Sequence, residues 1–231
     1  MKKFHNPLKQ LTPFEWALWA VSAVAVVLAF LFPEKKDVPS LIASLIGVTA
    51  LIFVAKGMVL GQVLTVVFAV LYGIVSWTQR YYGEMITYLC MSAPMAISAI
   101  VSWLRHPYKD SAEVEIRRLS PKEWGLLSLC AAATTVAFYF LLAGLNTANL
   151  WVSTLSVATS FFAAALTFLR SPYYALGYSA NDAVLIVLWA LVAKDDLSYL
   201  PMVLCFVMFL CNDLYGFFNW KRMEKRQKKQ D

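Results

Sequence analysis

Between Trp124 and Leu169 the chain carries no Asp, Glu, Lys or Arg. A bilayer is crossed by about 20 apolar residues, so this run is too long for one crossing and holds two, broken at the turn-forming stretch Gly144–Asn149. The rest of the chain reads the same way: 60% of its 231 residues are hydrophobic, 15% are charged, and the mean hydropathy is +0.62. This is the composition of an all-α integral membrane protein. Spans are expected at about 13–33, 38–56, 58–79, 83–104, 121–144, 149–169, 173–194 and 197–220. Their ends are marked by Pro33 with Glu34-Lys35-Lys36-Asp37, by Lys56-Gly57, by Arg80 to Glu84, by the segment 105–120, by Arg170-Ser171-Pro172 and by Lys194-Asp195-Asp196.

The first apolar stretch follows Met1–Thr12 and is long enough to span rather than be cleaved as a signal peptide. Of the 20 Lys and Arg, an eight-span layout leaves Lys35, Lys36, Arg80 and Lys194 on one side of the membrane. The others fall opposite: Lys2, Lys3, Lys9, Lys56, Arg105, Lys109, Arg117, Arg118, Lys122, Arg170 and the tail from Lys221 to Lys229. The positive-inside bias therefore puts both termini in the cytoplasm. The net charge of +6 is membrane topology rather than nucleic-acid binding, and the basic tail reads as a stop-transfer and solubilising segment.

Two segments repeat. Ile100-Val101-Ser102-Trp103-Leu104-Arg105 closes the fourth span as Phe217-Phe218-Asn219-Trp220-Lys221-Arg222 closes the eighth. Further back, Leu60-Gly61-Gln62 parallels Leu176-Gly177-Tyr178, and Lys56 parallels Arg170. Pairing Leu71-Tyr72-Gly73 with Leu214-Tyr215-Gly216 matches more letters but sets an outward-running span against an inward-running one. The pattern is thus a parallel duplication of three spans, which needs one inverting span between the copies. The expected organisation is an amino-terminal region with an extra span at 1–37, a first bundle at 38–104, a cytoplasmic loop and inversion helix at 105–148, a second bundle at 149–222 and a tail at 223–231. The first span then serves peripheral packing.

Polar residues within the spans carry the chemistry. A carboxylate at the centre of a membrane helix costs about 2.5–3.5 kcal/mol on insertion scales, so it faces a cavity or a partner. Asn181-Asp182 and Asn212-Asp213 lie at matching depths, about 13 and 10 Å from the cytoplasmic face at 1.5 Å per residue. With Tyr178, Tyr215 and Asn219 they are expected to line one chamber, and Gln62, Tyr88 and Trp189 are further candidates. The bland alternative is that these groups join helices to one another by hydrogen bonds. Glu84 beside Arg80 reads as a solvated charge, Trp77, Trp103 and Trp220 as interfacial belt residues, and Pro94 and Pro201 as kinks in the fourth and eighth spans.

Nothing in the chain reads as an enzyme. His5 and His106 lie outside the spans, and Cys90, Cys130, Cys205 and Cys211 are scattered and read as buried thiols. A Gly-rich phosphate loop is missing. No catalytic residue, metal site or cofactor is expected.

The Asn-x-x-Tyr pattern at Asn212–Tyr215, the Asn181-Asp182 pair followed by Trp189, and the 3+1+3 plan behind an extra helix resemble the Pnu family of bacterial vitamin transporters, over most of residues 38–222. Its PnuC-type members carry nicotinamide riboside. The resemblance implies a relative of the small SWEET fold, a homotrimer in the cytoplasmic membrane, and facilitated diffusion followed by trapping through a cytoplasmic kinase. It implies Asn212 and Tyr215 as leading ligand contacts, with Asn181 and Tyr178 next. Where nicotinamide riboside carriers have Trp-x-x-Trp, this chain has Ala175-Leu176-Gly177-Tyr178. Thiamine, riboflavin or a deoxynucleoside stay open as cargo, and a non-transporting subunit or sensor is the reading from another class.

Overall fold

The computed structural model describes residues 6–32, 34, 36, 38–78, 81–109, 111–147 and 149–230. Lys2, Lys3, His5, Pro33, Lys35, Asp37 and Arg80, used above as markers, lie outside them. Among the described residues, eight helices are long and apolar enough to cross a membrane. They comprise α1 (Pro13–Leu31), α2 (Val38–Ala55), α3 (Val59–Thr78), a composite fourth span, α6 (Pro121–Gly144), α7 (Leu150–Phe168), α8 (Tyr174–Ala193) and α9 (Leu200–Gln230). The composite span runs from α4 (Tyr82–Ile86) through a π-helical segment (Thr87–Ser92) into α5 (Ala93–Arg105). Two 3-10 turns, Pro7–Gln10 and Leu197–Tyr199, lead into α1 and α9.

Pro94 explains the composite span. Having no N–H, it cannot bond the carbonyl four residues back, and its ring crowds that carbonyl. The chain loosens one turn earlier: the Ala93 N–H bonds the Tyr88 carbonyl, five residues back. Pro94 therefore sits in the first turn of a regular helix, and its effect is a π turn in the wall of the protein's central cavity. Pro201 lies in the first turn of α9 and interrupts nothing.

Helices α2, α3 and α4–α5 form one set and α7, α8 and α9 another; α2 packs on α9 and α5 on α7, so the first helix of each set meets the last of the other. The contact is reciprocal in detail. From α5, Ser102 Oγ donates to the Phe168 carbonyl at 2.9 Å and Trp103 Nε1 to the Thr167 carbonyl at 3.0 Å. From α9, Asn219 Nδ2 donates to the Ala55 carbonyl at 2.8 Å and Trp220 Nε1 to the Val54 carbonyl at 2.9 Å. The four acceptors are last-turn carbonyls of α7 and α2, groups that a helix end leaves without intrahelical partners. The two indoles lie 5.5 Å apart and are 1% and 0% exposed. Trp103 and Trp220 are therefore not belt residues, as expected from their place in the sequence, but a buried clasp; Trp77, 59% exposed, keeps the belt role.

The turns after α2 and α7 also match. Gly57 N–H bonds Val54 O and Met58 N–H bonds Phe53 O; Arg170 N–H bonds Thr167 O and Ser171 N–H bonds Leu166 O. Gly57 and Arg170 both take the left-handed conformation, φ +67° and +58°, that ends a helix with a 6→1 and 5→2 pair of bonds. The register thus pairs Gly57, not Lys56, with Arg170. A strap between α5 and α6 joins these turns, Val114 N–H donating to Gly57 O and Arg117 N–H to Arg170 O, each at 3.0 Å.

Two further expectations change. The tail is not a free solvated segment: α9 continues to Gln230, and Gln227 accepts from Ile116 N–H at 2.8 Å and donates to Val114 O at 3.0 Å. Arg226 pairs with Glu113 in the same strap. Of the cysteines only Cys205 is buried; Cys90, Cys130 and Cys211 face outward from the bundle.

Replacing Trp103 or Trp220 with Phe leaves a buried carbonyl without its donor, a loss of about 1–3 kcal/mol. Thermal unfolding in detergent should show a clear fall in midpoint for each, and almost none for Trp77→Phe. Equal behaviour of all three would remove the clasp from the account.

Candidate functional site

A cavity lies between the two helix sets, walled by α2, α3, the π segment, α7, α8 and α9. Its polar lining is Gln62 and Thr65 from α3, Tyr88 and Ser92 from the π segment, Ser160 from α7, Tyr178, Asn181 and Asp182 from α8, and Asp213 from α9. Gly47, Ala50, Leu51, Val54, Phe68, Ala69 and Phe209 supply the apolar wall. Six of the ten candidates from the sequence, Tyr178, Asn181, Asp182, Asp213, Gln62 and Tyr88, thus come together.

Close helix packing sets the α8 wall. A Cβ at Gly177 would stand 2.8 Å from the Ala163 Cα, so only glycine lets α8 approach α7 this nearly. The contact brings Asn181 among three α7 hydroxyls: its Oδ1 accepts from Ser156 at 3.4 Å and from Thr159 and Ser160 at 2.9 Å each. With that oxygen saturated, what Asn181 has to offer a ligand is its N–H end. Asp182 and Asp213 face each other within hydrogen-bonding reach, and Asp182 Oδ2 is buried with no partner. Among the described residues the lining holds no Lys or Arg. Two adjacent carboxyls in such a lining form a site that favours positive charge or hydroxyl donors.

Asn212 and Tyr215 turn away from the cavity, whereas the sequence reading grouped them with Asp213. Successive residues on a helix point about 100° apart, so when Asp213 faces inward Asn212 cannot. Asn212 donates to Ser22 on α1 at 3.0 Å and to the Met208 carbonyl at 2.7 Å; the Tyr215 hydroxyl donates to Glu15 on α1 at 2.7 Å. Glu15, only 1% exposed, also meets Lys56 at 3.3 Å. Together with Trp19 Nε1 donating to Thr49 at 3.0 Å, these bonds seat α1 against α2 and α9. Asn219, also expected in the chamber, belongs to the clasp.

Trp189 is buried above the cavity, opposite the clasp. Its Nε1 donates to the Tyr72 hydroxyl at 2.9 Å, and Tyr72 touches Tyr88 at 4.3 Å and Phe206 at 5.9 Å between ring centroids. Tyr81 and Tyr199 cover its outer side at 5.1 and 5.8 Å. An aromatic cluster thus closes the end of the cavity away from the clasp. The space open to water centres between these closures is about 50 Å³, room for a few waters.

Sequence reasoning missed Glu84. Expected as a solvated charge, it is 2% exposed, with Oε2 unpartnered, its carboxyl within hydrogen-bonding reach of Ser156 and in the electrostatic range of Tyr72 and Tyr88. Its position one turn before Tyr88 and two before Ser92 was the available signal, and the adjacent turn masked it.

Comparison with known proteins gives one consistent answer. The family profile described as nicotinamide mononucleotide transporter matches residues 37–222. The nicotinamide riboside transporter PnuC of Neisseria mucosa is 30% identical over 223 residues, covering 93% of this chain and 83% of that protein. That of Haemophilus influenzae is 25% identical over 216 residues, covering 93% and 92%. Among solved structures, the crystal structure of the vitamin B3 transporter PnuC superposes with a TM-score of 0.81 at 25% identity, covering 94% of each chain.

The two faces of α9 should respond oppositely to substitution. Tyr215→Phe removes a hydrogen bond to a carboxylate and should cost about 1.5–3 kcal/mol. Asp182→Asn relieves two crowded carboxyls and should leave the thermal midpoint unchanged or higher, as substitutions in binding sites often do. Differential scanning fluorimetry of both variants decides it; a large loss for Asp182→Asn would mean that the carboxyl pair holds the fold.

Proposed function

We propose, because this chain belongs to the nicotinamide mononucleotide transporter family, that it carries nicotinamide riboside across the bacterial cytoplasmic membrane. The observation that supports this cargo is the carboxyl pair Asp182–Asp213 in a cavity lined by tyrosines and amides and by no Lys or Arg. Nicotinamide riboside brings a flat cationic ring and a hydroxylated sugar. The ring suits Tyr88, Tyr178 and the carboxyls; the sugar suits Gln62, Asn181 and Ser160. A mononucleotide would add a phosphate of about −1.5 to −2 charge beside two carboxyls. The unphosphorylated riboside is the better fit.

Passage is by facilitated diffusion with alternating access. Ligand sites ordinarily occupy on the order of 300 Å³ or more, so a nucleoside enters only when the helix sets move apart. The aromatic cluster around Trp189 is the outer closure and the Ser102-Trp103 and Asn219-Trp220 clasp the cytoplasmic one, released in turn. The 3+1+3 parallel duplication of the SWEET type, with bundles at 38–104 and 149–222 and α6 as inverting helix, is supported by the matched turns and reciprocal bonds. Both termini lie in the cytoplasm, as the Lys and Arg asymmetry favours. The protein works as a homotrimer, and a cytoplasmic kinase traps the riboside as its phosphate. Asn212, Tyr215 and Trp189 act on the ligand indirectly, through the seating of α1 and the outer closure.

Nicotinamide riboside at a hundredfold excess over its Kd should stabilise the purified protein by about 2.7 kcal/mol, read as a raised unfolding midpoint. Asp213→Asn should abolish the rise, and nicotinamide mononucleotide and sugars should give none. A rise with thiamine or riboflavin alone would keep the family and replace the cargo. No rise with any of them, and no flux into vesicles, would favour a non-transporting subunit.

A further inference from the structure

Glu84 is a buried carboxyl that the cavity does not account for. It lies on α4, within a membrane span, at the end of the cavity away from the clasp. Ser156 is within hydrogen-bonding reach of it, and Tyr72 and Tyr88 of the outer closure stand close enough to feel its charge. Among the described residues no Lys or Arg pairs with it, and Oε2 has no hydrogen-bond partner. A carboxyl kept out of water without a cation is costly, and among the described residues Ser156 alone offers it a hydrogen-bond donor.

Its position connects it to the path of the ligand. Glu84, Tyr88 and Ser92 follow one another at intervals of one turn, and the last two line the cavity. Ser156, which the Glu84 carboxyl meets, also donates to Asn181 Oδ1 in the cavity wall. Glu84 thus stands beside the segment that joins the outer closure to the cavity wall.

We propose that Glu84 selects for positive charge at the outer end of the path, drawing a cationic ring past the aromatic closure before the carboxyl pair receives it. This rests on the reading of the protein as a nicotinamide riboside carrier and adds a residue whose effect falls on charge discrimination. A neutral ring of the same shape gains nothing from Glu84, so its entry is indifferent to the substitution. The glutamine variant copies the shape and hydrogen bonding of a protonated carboxyl, which separates charge from mere structure.

The test is uptake into proteoliposomes of nicotinamide riboside and of dihydronicotinamide riboside, the same molecule with an uncharged ring. Glu84→Gln should lower the ratio of cationic to neutral uptake by about tenfold or more, the scale of one nearby charge in a protein interior. Glu84→Asp should keep most of the ratio. Where the glutamine variant does not fold, Glu84→Met, apolar and of similar length, should give the same fall. An unchanged ratio in a folded variant overturns the proposal, whether total uptake is normal or reduced. Failure of the unaltered protein to carry nicotinamide riboside would instead overturn the cargo assignment.

Discussion

A helix that stops at the edge of a bilayer leaves its last carbonyls without partners, and hydrocarbon supplies none. At the ends of α2 and α7 those carbonyls are met from the opposite helix set, by Ser102, Trp103, Asn219 and Trp220. Much of the structure follows from this. The crossed bonds hold the first helix of each set against the last of the other, which leaves the cavity between the sets. They also put two indoles in the centre of one end of the bundle, with the strap from Val114 to Arg117 laid over the same two turns.

The cavity inherits its character from what the clasp excludes. Basic residues gather at the clasp end: Lys56 with Glu15, Arg170 with Glu115, Arg118 with Glu224. Among the described residues the interior of the cavity keeps acids alone, Asp182 and Asp213 with Glu84 beyond them. A buried acid next to a base is usually framework, whereas one without a base is free to meet something else. The division therefore separates the groups that hold this protein together from those available to cargo.

Much of this was legible in the sequence, and the exceptions have physical reasons. Long charge-free runs and punctuating turns set all eight spans, since hydrocarbon imposes a length on any helix that crosses it. The equivalence of Ser102-Trp103 with Asn219-Trp220 was visible as a repeat, but a Trp near a membrane surface reads as a belt residue until its hydrogen-bond partner is seen. Asn212 and Tyr215 were assigned to the cavity because they form a polar stripe with Asn219 at i, i+3 and i+7, and a stripe alone does not say whether it meets a ligand or, as here, the polar groups of a neighbouring helix. Glu84 was hidden by its nearness to a turn. Pro94 was legible as an interruption of the fourth span, but not that the chain would answer it with a π turn one turn earlier rather than a kink.

The crossed clasp also bears on ancestry. Each helix set caps part of its own last turn, through Gly57 and Arg170, and takes a further donor pair from the other set. Two identical three-helix chains, set side by side with the same orientation and related by a two-fold axis, would make the same bonds in both directions. A dimer of half-sized chains would therefore form the clasp, and a solitary half would not. Joining two such parallel halves in one chain would require an inverting helix between them, the place that α6 occupies here.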